Sequence, residues 1–254
     1  MTDSQQLRQR IQATISEFKD FQYSEPADFN GPPPSELNKY IDHTLLRPDS
    51  TMADIAKLCE EAKRYNFKTV CVNSSWIAEC DRVLRRKDST CVTVPIAVVG
   101  FPLGAGITSS KSFEAKGAIE AGAKEIDMVI QIGRLKGEDY DFVLNDIKDV
   151  YDACGDIPLK VILETSMLTH DEIVAACCIC KEIGVAFVKT STGFGGGGAT
   201  VEHITLMKAV VGEYIQVKAS GGIRTYNDAI RMLKAGATRI GASASVAIVT
   251  NHQM

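Results

Sequence analysis

The sequence predicts an α/β protein, a single closed (β/α)8 barrel (a TIM barrel) with an N-terminal helical extension. Three observations predict it. From residue 40 onward, eight short apolar runs alternate with segments of helical period. The chain has 254 residues, close to the roughly 250 that one such barrel occupies. Glycine-bearing loops follow the last three runs, at the barrel end where active sites form. An open doubly wound sheet shows the same alternation and is the alternative arrangement.

Residues 1–37 stand apart from this pattern. Leu7, Ile11, Ile15 and Phe18 recur every three or four positions, which predicts an amphipathic helix ending near Lys19. The proline- and acid-rich stretch that follows, including Pro32-Pro33-Pro34, predicts an extended linker. The chain therefore divides into this extension, 1–37, and a barrel, 38–254. The extension shows no chemistry, and its helix is expected to lie on the barrel or on a neighbouring subunit.

The strand candidates are Tyr40–Leu46, Thr69–Asn73, Cys91–Val99, Glu125–Ile130, Leu159–Thr165, Ala186–Thr190, Ile215–Ser220 and Thr238–Ala242. Each is short, apolar and rich in β-branched residues. The helix candidates lie near 53–65, 75–86, 110–122, 139–153, 171–183, 201–211 and 226–235. Thr169 with Glu172 has capping-box spacing, and Thr225 with Asp228 is a looser version of it. The last segment, Ser245 to Met254, is short for a closing helix.

Composition excludes several functions. A net charge of −4 argues against nucleic-acid and membrane-surface partners, which demand basic patches. No apolar run approaches the ~18 residues of a membrane span. The polar start, MTDSQQLRQR, has no apolar segment behind it that would serve as a signal peptide. Four of the eight cysteines (Cys71, Cys91, Cys177, Cys178) sit inside apolar runs. Cys177, Cys178 and Cys180 crowd one helix without a matching Cys or His pair. Reduced thiols in a cytoplasmic protein fit this better than a disulfide framework or a zinc site.

The chemistry gathers around the sixth run. Val185-Ala186-Phe187-Val188 ends on Lys189 and passes through Thr190, Ser191 and Thr192 into a loop with five glycines. Alternation puts Phe187 and Lys189 on one face. Burying an ammonium is costly unless it is paired or loses its proton. The same alternation turns Asp42 and Thr44 inward on the first strand, with Glu125 and Asp127 on the fourth. Lys160 and Glu164 follow on the fifth, and Lys218 on the seventh. Together with Lys189, seven ionisable residues would then share one lumen. A buried ion-pair network without a task is the bland alternative, but such networks seldom stabilise more than apolar packing does.

Lys189 and Lys218 lie on consecutive parallel strands, roughly 4.8 Å apart. Two ammonium groups about 6 Å apart repel by roughly 3 kcal/mol at an effective dielectric of 20. That is about two pKa units, enough to make one lysine a Schiff-base nucleophile near neutral pH. Asp127 would supply the acid–base group that carbinolamine dehydration requires. Lys218 also reads as an ion-pair partner or a phosphate ligand. Three glycine-bearing loops, Gly193 to Gly198, Gly221-Gly222 and Gly241-Ala242-Ser243, suit a phosphate cradle. Cys71 ends the second strand, where it lines the pocket or simply packs. His43 falls outward, His170 sits in a helix cap, and Trp76 reads as packing.

Phe187-Val188-Lys189-Thr190-Ser191-Thr192-Gly193-Phe194, Val217-Lys218-Ala219-Ser220-Gly221-Gly222 and Glu125-Ile126-Asp127-Met128-Val129 together resemble the deoxyribose-phosphate aldolase family. Tyr40 to Leu46, Cys71-Val72-Asn73 and Val99 to Gly104 are similar to it as well, so the resemblance runs from about Leu37 to Ser245. It implies a class I aldolase that needs no metal and no cofactor. Such an enzyme cleaves 2-deoxy-D-ribose 5-phosphate reversibly to acetaldehyde and D-glyceraldehyde 3-phosphate. Lys189 would form the Schiff base, Lys218 would tune it and Asp127 would relay protons. Thr192, Gly193, Gly221, Gly222 and Ser243 would hold the phosphate, and Asp42, Thr44 and Cys71 complete the implied substrate-binding set. The implied partner is a small phosphosugar, and the implied assembly a homo-oligomer, dimer or tetramer. Ser74, Gln131 and Ala244 depart from the usual proline, asparagine and serine, and the tail Asn251-His252-Gln253-Met254 lacks the tyrosine of some members. The rival readings are another Schiff-base sugar-phosphate aldolase or transaldolase, and a phosphosugar-binding barrel without turnover.

Overall fold

Eight parallel strands close into a barrel in sequence order in the computed structural model, which describes residues 3–23, 34–85 and 91–251. The strands are β1 (Ile41–Leu45), β2 (Thr69–Asn73), β3 (Val94–Val99) and β4 (Glu125–Val129). They continue with β5 (Leu159–Ile162), β6 (Phe187–Lys189), β7 (Gln216–Ser220) and β8 (Arg239–Ala242), and β8 pairs back onto β1. The helices outside are α1 (Asp3–Phe18), α2 (Met52–Tyr65), α3 (Ile77–Arg85), α4 (Thr108–Glu120) and α5 (Ile132–Lys136). After them come α6 (Tyr140–Cys154), α7 (His170–Ile183), α8 (Val201–Val211), α9 (Tyr226–Lys234) and α10 (Ser245–Thr250). The open doubly wound alternative is thereby excluded.

Local chemistry explains the boundaries. Thr51, Thr169 and Thr225 each complete a capping box, with Asp54, Glu172 and Asp228 reaching back, so the looser Thr225 pattern forms one too. Gly184 ends α7 in the left-handed region at φ 80°, where glycine has no Cβ penalty. The fifth apolar run extends to Thr165, yet β5 stops at Ile162, because Glu164 adopts φ 57° and turns the chain. The ladder to β6 still continues through Leu163 N–H to the Lys189 carbonyl (2.9 Å) and Thr165 N–H to the Thr190 carbonyl (2.9 Å). The short α5 is an addition to the sequence pattern, too brief to show a period. The segment after Ser245 does form a closing helix, of one and a half turns.

The main core lies between the outer strand faces and the helices, with Ile126, Met128, Val161, Val188, Val217 and Ile240 fully buried. A second, small apolar cluster of Leu46, Cys71, Ile96 and Val98 sits inside the barrel toward its mouth, with Phe101 packed on it. The amphipathic α1 docks across α6 and α7 through buried Leu7 and Ile11. Arg8 donates to the Glu138 carbonyl at 2.8 Å, and Arg10 pairs with Glu182 at 3.1 Å. The expected linker falls mostly outside the described residues, although Pro34 already opens a 3-10 turn that runs to Tyr40. Ile11→Ala is expected to weaken this docking by about 2–5 kcal/mol. Hydrogen exchange of the α1 amides should then speed up by roughly 30-fold or more; unchanged protection would contradict the docking.

Candidate active site

The barrel lumen holds a connected set of charges. Parallel pairing sets Lys189 directly beside Lys218, Asp127 beside Lys160, and Lys218 beside Arg239. Both Lys189 and Lys218 donate to the same oxygen, Asp127 Oδ2, at 2.9 and 2.8 Å. Lys160 donates to Asp127 Oδ1 at 2.9 Å and pairs with Glu125 at 2.6 Å. Lys218 also pairs with Asp42 at 2.5 Å, and Asp42 Oδ1 accepts from Thr69 (2.7 Å) and Arg239 (2.8 Å). Arg239 reaches Glu125 at 3.1 Å, and its guanidinium lies 5.2 Å from the centre of the Phe187 ring. Among the described residues the set comprises four cations, Lys160, Lys189, Lys218 and Arg239, against three carboxylates, Asp42, Glu125 and Asp127.

Two expectations from the sequence change. The lysines do not face each other as a bare like-charge pair, because a carboxylate bridges them. Burial works against the charge on Lys218, yet Asp127 and Asp42 outweigh it and raise its pKa above the usual lysine range. Lys218 is thus a standing cation. Burial likewise works against ionised Asp127, but Lys160, Lys189 and Lys218 hold it well below the usual carboxylate range. Asp42 is brought down to about 2 against burial, by Lys218, Arg239 and Lys160. Second, Glu164 does not join the cluster. It turns at the end of β5 and accepts from the N–H and hydroxyl of Thr192.

Above the charges lies a cavity of about 400 Å³. Lys189 forms part of its floor, and Thr44, Thr192, Gly193, Gly221, Gly222 and Ser243 line it, so six of the expected binding residues share one space with the lysine. Gly193, Gly221 and Gly222 take φ of 86°, 88° and 78°, left-handed conformations that side chains resist. Asp42 and Cys71 do not line the cavity. Asp42 lies fully buried within the charge network, and Cys71 lies buried in the inner apolar cluster, where burial pushes its thiol up. His43 points outward to Glu61 at 2.9 Å.

Three functional features escape the sequence reading. Arg239 is one, although alternation along β8 places it inward beside Asp42. Arg47 and Arg224 stand on the cavity wall, exposed, and Arg47 pairs with Asp49 at 3.6 Å. Phe194 reaches across the mouth to Phe101, with ring centres 5.4 Å apart and planes at 89°. The departures at Ser74 and Gln131 find local partners. Ser74 donates to Glu114 at 2.6 Å, and Gln131 donates to the Gly106 carbonyl at 2.7 Å. Ala244 precedes α10, and residues 252–254 of the tail lie outside the described residues.

Comparison with known proteins agrees with this geometry. Residues 37–250 match the profile of the DeoC/LacD family aldolases. A deoxyribose-phosphate aldolase of Mycoplasma capricolum is 53% identical over 218 residues, 86% of this chain and 96% of that one. One from Clostridium novyi is 55% identical over 215 residues, covering 84% and 95%. Among solved structures, a candidate deoxyribose-phosphate aldolase from Coccidioides immitis superposes with a TM-score of 0.89 at 41% identity, over 97% of this chain and 98% of that one. The tetrameric deoxyribose phosphate aldolase of Aeropyrum pernix has a TM-score of 0.76 at 27% identity, covering 95% and 96%. With its charged lumen, its glycine-lined cavity and these matches over most of its length, the chain belongs to the DeoC/LacD aldolase family.

Proposed function

We propose that the protein is a deoxyribose-phosphate aldolase that cleaves 2-deoxy-D-ribose 5-phosphate through a Schiff base on Lys189. The observation that carries this reading is the meeting of Lys189 and Lys218 on one oxygen of Asp127, at the floor of a cavity with a glycine-lined wall. Lys189 is one of four basic side chains set against three carboxylates in this lumen. Lys189 also sits at the cavity end of the network, where a substrate carbonyl can reach it.

In this reading the Lys189 amine attacks C1 of the open-chain sugar, and the carbinolamine loses water to give the imine. A base removes the proton of the C3 hydroxyl, the C2–C3 bond breaks, and D-glyceraldehyde 3-phosphate leaves. The electron pair of that bond remains as an enamine. Protonation at C2 and hydrolysis then release acetaldehyde and restore the amine. Asp127, in hydrogen-bond contact with Nζ, serves the proton transfers, which contribute about 10²–10⁴-fold in such steps. Lys218, held charged by Asp42 and Asp127, is the cation that disfavours a second charge on Lys189.

The phosphate would lie against the backbone N–H groups of Gly193, Gly221 and Gly222 and the hydroxyl of Ser243, with Arg47 and Arg224 at the rim. Thr44 lines the same wall. Asp42 acts from below by holding Lys218, and Cys71 by packing beneath the mouth. Residues 38–254 make up the catalytic barrel, a division supported by the span of the family match, and 1–37 an extension whose helix α1 docks on the barrel's side. No helix among the described residues is long and apolar enough to cross a membrane. With eight free cysteines, six of them buried, a cytoplasmic location suits the chain, and a dimer or tetramer is the assembly to look for in solution.

A panel of sugar phosphates and aldehydes tests the assignment. Release of acetaldehyde from 2-deoxyribose 5-phosphate supports it, and turnover confined to other sugar phosphates would replace it. Lys218→Leu is expected to keep a small residual rate with its pH optimum moved upward, since the cation that opposes protonation of the nucleophile is gone. An unchanged pH profile in that variant would show that Lys218 does not tune the nucleophile.

A further inference from the structure

We propose that Glu164 is the positioning residue of the phosphate-receiving loop, acting by holding Thr192 and the glycine run behind it. The proposal rests on the aldolase reading of the cavity. Glu164 is 1% exposed and stands in the left-handed region at φ 57°, a backbone strain of the kind found at functional sites. Its Oε2 accepts from the Thr192 N–H at 3.2 Å and from the Thr192 hydroxyl in a very short contact. Threonine has one N–H and one O–H to give, and both go to Glu164. The Thr192 hydroxyl oxygen in turn accepts from Phe194 N–H at 3.0 Å. Thr192 therefore keeps no donor for an anion, although it lines the cavity. It is the link through which Glu164 fixes the first turn of the loop.

The glycines after it show the same dependence. A Cβ on Gly195 would fall 2.6 Å from the Glu164 carboxyl carbon, and one on Gly197 would collide with Ser166 Cβ. Gly195 is not among the residues at positive φ, so close approach to Glu164, not backbone conformation, requires glycine there. Farther on, a Cβ on Gly198 would collide with the Gly221 carbonyl, so this loop lies directly on the second glycine pair of the cavity wall. The loop is thus laid on the Glu164–Ser166 turn. Unlike the lumen carboxylates, Glu164 receives no lysine or arginine among the described residues, and its Oε1 is buried without a hydrogen-bond partner. Its side-chain hydrogen bonds run to the loop alone.

The test compares cleavage of 2-deoxyribose 5-phosphate with that of 2-deoxyribose, which has no phosphate to place. Glu164→Ala is expected to raise KM for the phosphorylated sugar by about 30-fold, the worth of two buried hydrogen bonds, with kcat and the rate on 2-deoxyribose nearly unchanged. Glu164→Gln, whose amide oxygen still accepts from Thr192, should stay close to wild type. Gly195→Ala should lose as much as Glu164→Ala, and the double variant should be no worse than Glu164→Ala, because the colliding carboxyl is gone. Equal losses on both sugars, no loss, a Gln variant as impaired as the Ala variant, or additive losses in the double variant would each overturn the proposal. If Glu164→Ala does not fold, Gly195→Ala decides it by the same split between sugars, with Glu164→Gln expected to match the wild type on both. A wild type that cleaves neither sugar would instead refute the aldolase reading. Binding of inorganic phosphate, followed by calorimetry in the same variants, then decides the role of Glu164: weakened in Glu164→Ala and retained in Glu164→Gln supports it, and equal binding overturns it.

Discussion

Lys189→Leu is expected to lose cleavage of 2-deoxyribose 5-phosphate by on the order of 10⁴-fold or more while the fold survives. Removing the group that forms the covalent bond removes the route itself, and losses of that size are typical for nucleophiles. Stability should hold for a reason specific to this lumen. Without Lys189 the network keeps three cations on three carboxylates, and Asp127 still receives Lys160 and Lys218. Thermal unfolding should show a midpoint at or above that of the wild type. Full activity in the variant would end the Schiff-base account, and marked destabilisation would contradict the charge balance.

Asp127→Asn is expected to do the opposite to stability while also suppressing turnover. Asparagine keeps the shape and one acceptor but removes the charge that three lysines share. Four cations would then face two carboxylates in a buried space. Breaking a buried pair in this way costs roughly 3–5 kcal/mol. Turnover should fall by about 10²–10⁴-fold, the size of a lost acid–base group. Urea unfolding and steady-state rates check the two effects separately. A variant as stable as the wild type, or active within a few-fold of it, would show that Asp127 is neither the hub of the network nor its proton carrier.

The contrast between these variants shows which parts of the protein are legible in the sequence. Strand positions are legible because short apolar runs, separated by helical periods, have few other folds open to them. The pairing of Lys189 with Lys218 follows from their matching places at the ends of consecutive strands. Their relation does not, because strand periodicity cannot show that the Asp127 side chain from across the barrel comes between them. Arg239 obeys the same alternation as Lys218, but an arginine beside Thr238 at the start of a short run resembles an ordinary strand edge. Alternation turns Glu164 inward only while the strand continues, and β5 ends at Ile162, ahead of the left-handed backbone at Glu164. Arg47, Arg224 and Phe194 lie on loops, whose paths have no period to read.

The most direct test of the central claim is to incubate the protein with 2-deoxyribose 5-phosphate and borohydride, then weigh it intact and map the modified peptide. A reduced adduct carried on Lys189, and absent from Lys189→Leu, is the predicted result. An adduct on Lys218 would reverse the roles of the two lysines, and binding of the sugar phosphate without any adduct would contradict covalent catalysis altogether.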